Sequence, residues 1–433
     1  MERSINFMHT TSYLADSVSS GKPKAGGPAL WFVLFFTFVL YISPQSYFPF
    51  LEKLYLAKVS AILALISFFL AARNQSVSMT TPEKYVLVLA FLALCSIPFS
   101  SWRGGSLAYF IDIFSKVLII FFLMARVLVN ERHVEMMIKL LVTCNVFFAI
   151  VALSNYAGGI YLKGTRIGGP QGGIAHDPND LALSLVTVFP LALCLAKLAT
   201  SRFKKVFYIL CAVLMVCGIV VSFSRGGFLA LAVAGFVLLM HLPKRKIVGI
   251  VFIALLALPI IIAVMPSTYF ERLTTIVDTE KDPVGSAGVR FDDMRDSLKA
   301  VLENPLLGAG LGMNTLGLQE VRGQMYWGGV HSAPLQIASE LGLPALFAYI
   351  ALLVVLLKEL SRLRLMRRAD ALSDRLSPMA GYLQSALWGF IVAGIFLPVA
   401  YRWYFFYLAG MATALIRIQK SLSNAKKYHL AGK

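Results

Sequence analysis

Apolar runs close to twenty residues long recur along this chain, parted by polar or charged connections. A run of that length crosses roughly 30 Å of hydrocarbon as a helix. About twelve such runs are predicted as spans, over 29–43, 54–72, 85–98, 107–129, 134–156, 181–198, 206–223, 226–242, 247–264, 333–357, 380–399 and 403–418. The third is short for the task. The alternation lapses twice, over 157–180 and over the longer stretch 265–332, which ends in His331-Ser332 just where an apolar run resumes. Polar tails occupy 1–28 and 419–433. The expected fold is an all-α integral membrane protein, with a large loop carrying short helices between the ninth and tenth spans.

Composition agrees, since 58% hydrophobic and 14% charged residues would leave a soluble protein without a surface. The net charge of +18 raises nucleic acid as a partner, but in a membrane protein the positive-inside rule is tested first. With a cytoplasmic amino terminus, the inner side collects Lys22, Lys24, Arg126, Arg132, Arg202, Lys204, Lys205, Lys244, Arg245, Lys246, the basic run from Lys358 to Arg368, and Lys426 and Lys427. That sorting accounts for the basic clusters, so no nucleic acid is expected. It puts both termini in the cytoplasm and both long loops outside. The polar opening segment has no signal-peptide pattern, so the first span is expected to be retained. All five cysteines fall inside apolar runs and read as small buried hydrophobes, with neither a disulfide framework nor a zinc site indicated.

Basic residues on the outer side break the rule and so point to chemistry: Lys163, Arg166, Arg225, Arg290, Arg295 and Arg322. Arg225 lies in Ser222-Phe223-Ser224-Arg225-Gly226-Gly227, a turn opening the eighth span. Free N–H groups at that helix start, two glycines and a guanidinium fork suit phosphate oxygens; an Arg snorkelling to headgroups is the plainer reading. Asp177 before Pro178 is expected to cap the sixth span, with Asp180 at the capping-box position and His176 exposed beside it. Arg166 among glycines is a further phosphate contact. Over 290–303, Phe291, Met294, Leu298, Val301 and Leu302 form one stripe flanked by Arg290 and Arg295, which predicts an interfacial amphipathic helix. The glycines of 308–312 follow no strand, so a nucleotide site is rejected. His331 precedes Ser332, a candidate cap, and Pro334; at a helix start the dipole favours a neutral ring that can accept a proton. Glu340 falls half a turn out of phase with His331 on a straight helix, too far round to orient the ring. Asp112 and Lys116, four apart, are expected to form a buried bridge.

Ser224-Arg225-Gly226-Gly227, then Arg290 ahead of Asn304-Pro305-Leu306-Leu307-Gly308-Ala309-Gly310, then His331-Ser332 followed after nine intervening residues by Gly342, together resemble the O-antigen ligase and polymerase superfamily of bacterial cell-envelope enzymes. The resemblance covers about 166–357. Two positions depart from the ligase pattern: Ala345 stands where Gly, Thr or Tyr is usual, and Met294 replaces an aromatic. The resemblance implies metal-independent, cofactor-free, inverting glycosyl transfer on the outer face of the inner membrane. A glycan on undecaprenyl diphosphate is moved en bloc to a hydroxyl of an acceptor, in the ligases a lipid A core sugar. His331 would be the general base, and Arg225, Arg290 and Arg166 would hold the diphosphate. A polymerase or a protein O-oligosaccharyltransferase of the same superfamily stays open, and so, from another class, does a lipid-linked glycan flippase or transporter.

Overall fold

The computed structural model describes residues 27–72, 78–162, 166–242, 286–323, 325, 328–366 and 373–431. The expected ninth span, 247–264, lies outside them, as do Lys163 and the first part of the large loop. The described residues are helical and form no strand. In chain order they build α1 (Gly27–Ile42), α2 (Leu56–Ala72), α3 (Thr81–Ser96), α4 (Arg103–Tyr109), α5 (Ser115–Val127), α6 (Glu131–Ala157), α7 (Pro178–Leu198), α8 (Arg202–Val221), α9 (Arg225–Met240), α10 (Ser286–Glu303), α11 (Asn314–Arg322), α12 (Ala333–Arg364), α13 (Ser373–Phe396) and α14 (Trp403–Ala431). Phe110–Phe114 forms a π-helical turn joining α4 to α5. Eight helices among the described residues are long and apolar enough to cross a membrane, and α9 is a shorter apolar helix.

The core is organised around α7, which is buried along nearly its whole length and packs against α6, α8, α9 and α13. Polar side chains inside the bundle are paired, because an unmet donor in an apolar interior is costly. Ser184 Oγ donates to Asn145 Oδ1 at 2.7 Å, tying α7 to α6, and the Thr37 and Tyr407 hydroxyls meet at 2.9 Å between α1 and α14.

The helix ends sort into two sets. At one end, Thr80 N, Thr80 Oγ1, Arg126 Nε and Arg417 Nη1 all donate to the fully buried carboxylate of Glu83, at 2.7–2.9 Å, binding α3, α5 and α14 together. The other end carries the starts of α7, α9, α12 and α14 and the finish of α13.

The Asp112–Lys116 pair forms, at 3.7 Å, but it is not buried: the side chains are 72% and 48% exposed. The core-facing side of this helix is taken by Phe114, Val117, Ile120 and Phe121, which turns the pair outward.

The helix α12 is not straight. Gly342 adopts φ 82°, a left-handed backbone, and Pro344 two residues later has no N–H for the Glu340 carbonyl. The 304–312 loop supplies what the break leaves unmet. Ala309 N donates to Ser339 O at 2.8 Å, Gly310 N to Glu340 O at 2.9 Å, and Leu343 N to Pro305 O at 2.7 Å. The fit is backbone against backbone: a Cβ on Gly342 would lie 2.3 Å from Leu306 O, and one on Gly308 2.5 Å from the Glu340 carbonyl carbon. The glycines rejected as a nucleotide loop are the surface that docks a broken helix.

Candidate active site

Ser332 stands at the N-cap of α12 in extended conformation, with Pro334 in the first turn, as expected. Its hydroxyl makes no capping bond; its carbonyl accepts from Gln336 N at 2.8 Å. His331 thus sits just ahead of a helix start with its side chain 39% exposed, and its Nε2 lies 3.5 Å from Oδ2 of Asp293. Asp293 is fully buried on α10. Its other oxygen accepts from Arg322 Nη2 at 2.9 Å, and Arg322 Nε donates to Asp296 Oδ2 at 2.7 Å. Lys299 completes the cluster, 3.1 Å from Asp296 Oδ1. The Arg322 guanidinium outweighs an opposing effect of burial and, joined by Lys299, holds the Asp296 carboxyl below its ordinary range. Arg322, an outer basic residue by sequence, therefore commits its fork to two carboxylates one turn apart.

The amphipathic helix α10 exists, and its apolar stripe faces away from the protein. Phe291, Met294, Leu298 and Leu302 are 50–70% exposed, while Asp293, Ser297, Ala300 and Val301 are buried. Val301 thus leaves the expected stripe. The polar, small-residue face packs on α11 and α12 and carries the chemistry inward; the apolar face is the one an interfacial helix lays on lipid. Arg290 is in α10 one turn before Asp293, its side chain outside the described residues.

Arg225 is the first residue of α9, after a turn as tight as the sequence implied. Phe223 takes φ 54°, unusual for a bulky residue, and is held there by burial beside the Tyr156 ring. Ser224 caps α9: its Oγ accepts from Gly227 N at 3.2 Å and donates to Asn179 Oδ1 at 2.9 Å, coupling the starts of α9 and α7. Asp177 caps α7 through Asn179 N at 2.8 Å, as expected. Asp180 lies 3.5 Å from Arg402. His176 is half-buried, not exposed, because the 166–177 loop folds back on itself through Gly169 N to Ala175 O. Arg166 opens that loop, its carbonyl accepting from Leu162 N.

The last turn of α13 ties the two helix starts together. A Cβ on Gly394 would lie 3.5 Å from Ala333 Cβ, and one on Gly226 3.6 Å from Phe396 Cβ. Arg225 and His331 are thereby brought to the same end of the bundle. Sequence reading missed Asp293. The usable signal was its place with Ser297 and Ala300 at i, i+4 and i+7, a second stripe opposite the apolar one.

The family described as O-Antigen ligase matches residues 210–350. A solved structure reported under "Structural coordination of polymerization and crosslinking by a peptidoglycan synthase complex" is similar at 19% identity and a TM-score of 0.43, covering 78% of this chain and 97% of that one. No curated protein matches significantly. The matched stretch runs from α8 to the middle of α12 and contains Arg225, Arg290, Asp293, His331 and Gly342, which supports membership of this chain in the O-antigen ligase superfamily.

Proposed function

We propose that this protein is a ligase-type glycosyltransferase of about twelve spans, with both termini cytoplasmic and its site on the periplasmic face of the inner membrane. It moves a glycan en bloc from undecaprenyl diphosphate to an acceptor hydroxyl, of the lipid A core in the ligase case. The observation that carries this is the half-exposed His331 ring standing over the buried Asp293 carboxylate. A carboxylate facing Nε2 favours a proton on that nitrogen, the tautomer in which Nδ1 is the basic atom. Nδ1 takes the proton of the acceptor hydroxyl as its oxygen attacks the anomeric carbon. The bond from that carbon to the diphosphate oxygen breaks on the opposite face, with inversion, and the charged diphosphate leaves toward Arg225, Arg290 and Arg166 and the α9 helix start. No metal or cofactor enters this scheme.

The test is the surface glycan of a deletion strain. Loss of glycan-capped lipopolysaccharide while lipid-linked glycan persists is the ligase outcome. Loss of chain length alone would make the protein a polymerase, loss of glycan from protein an oligosaccharyltransferase, and lipid-linked glycan trapped on the inner leaflet a flippase.

A further inference from the structure

Glu340 was set aside in the sequence because a straight helix carries it away from His331. The structure gives it another route to the same place. Its carboxylate is fully buried. Oε2 accepts from Gly312 N at 2.8 Å, and Oε1 accepts from Asn314 Nδ2 at 2.5 Å. The other atom of that same amide, Asn314 Oδ1, accepts from Val330 N at 3.1 Å, and Val330 is the residue before His331. Gly312 belongs to the loop docked on the break in α12, so the relay is anchored at both ends by backbone.

We propose that Glu340 is a positioning residue for His331: through Asn314 it fixes the 330–331 backbone, and so the reach of the ring toward Asp293 and the acceptor. This rests on His331 acting as the base. The relay is directional. As a carboxylate, Glu340 offers only acceptors, so the Asn314 amide presents its NH2 inward and its oxygen to Val330. Glu340→Gln breaks it whichever way either amide turns, because one of three donors, Gly312 N, Asn314 Nδ2 or Val330 N, must then face another donor. Asn314→Asp breaks it by setting two carboxylates together. The double variant restores it with reversed polarity. The side-chain carbonyl introduced at position 340 accepts from Gly312 N, and the amide nitrogen beside it donates to the carboxylate introduced at position 314. That carboxylate in turn accepts from Val330 N.

The experiment measures transfer by the purified full-length protein, using undecaprenyl-diphosphate glycan and an acceptor, alongside amide exchange of the peptide spanning 328–332. Each single variant should lose on the order of 10- to 10²-fold in kcat, as a displaced catalytic group does, with donor KM little changed and faster exchange at Val330. The double variant should recover both readouts to within about threefold of native. The proposal is overturned if the single variants turn over and exchange like the native protein, or if the double variant stays as impaired as the worse single one. Native protein that transfers nothing, with exchange still following the relay pattern, counts against the glycosyl-transfer reading and leaves the relay standing.

Discussion

Two buried carboxylates, each held by arginine, stand at opposite ends of this bundle and do opposite things. Glu83 is fully buried and closed: four donors saturate its two oxygens, and the arginines that supply two of them are themselves only 21% and 15% exposed. Asp293 is equally buried, and Arg322 donates to one of its oxygens. The other faces an imidazole 39% exposed and 3.5 Å away. A saturated carboxylate clips helices together; one that hands a remaining oxygen to an exposed, titratable ring can set that ring's tautomer. Burial and ion pairing alone therefore do not mark a site. What marks it is a partner that still faces substrate.

The largest expected effect breaks the comparison on the open side. His331→Ala should slow transfer by roughly 10²- to 10⁴-fold, the usual worth of a general base. Binding of the lipid-diphosphate donor, measured separately, should survive, because in the proposed mechanism arginines and helix starts hold it. Near-native turnover would move the base elsewhere; loss of donor binding would make His331 a binding residue.

The closed side should fail differently. Glu83→Ala leaves Arg126 and Arg417 buried without a counter-charge, and a broken buried pair of this kind costs about 3–5 kcal/mol. Thermal unfolding in detergent should report that loss, while the molecules that remain folded transfer at the native rate. A Glu83→Ala protein that melts like the native one and transfers nothing would erase the distinction drawn between the two carboxylates.

How much of this was legible beforehand follows from which residues obey local rules. The helices were, because hydrocarbon thickness fixes the length of an apolar run: every expected span within the described residues falls on a helix, and eight of the described helices are long and apolar enough to cross a membrane. The cap at Asp177 and the tight turn before Arg225 were, since both depend on neighbours a few residues away. Asp293 was not: it sits on the quiet face of an amphipathic helix, and its partners Arg322 and His331 lie 29 and 38 positions on, separations no periodicity reports. Glu340 makes no direct contact with the His331 ring, as its phase implied; its bonds to Gly312 and Asn314 come from a loop that the sequence does not place. Gly342 and Pro344 announce a break in α12 just after Glu340, yet nothing local says which loop would fill it. Asp112 and Lys116 pair as their spacing requires; spacing does not say which way a helix face points.

The smallest effect sharpens the comparison from within the site, where Arg322 makes a closed pair beside the open one. The folded pKa of Asp296 lies below its ordinary value chiefly because of Arg322. A lowered carboxylate pKa contributes stability that is complete above the unfolded value, near 4, and is lost as pH falls through the folded value. The contact between α10 and α11 should therefore hold at neutral pH and through the mildly acidic range, then loosen in stronger acid. Amide exchange across Asn314–Arg322 reads this without interference from turnover, which His331 protonation would also depress. Asp296→Asn should raise that exchange slightly at neutral pH and flatten its acid rise. An acid rise unchanged in Asp296→Asn would show that the Asp296–Arg322 pair does not hold this contact, and Arg322 would then be part of the apparatus around His331 and no longer a separate clip beside it.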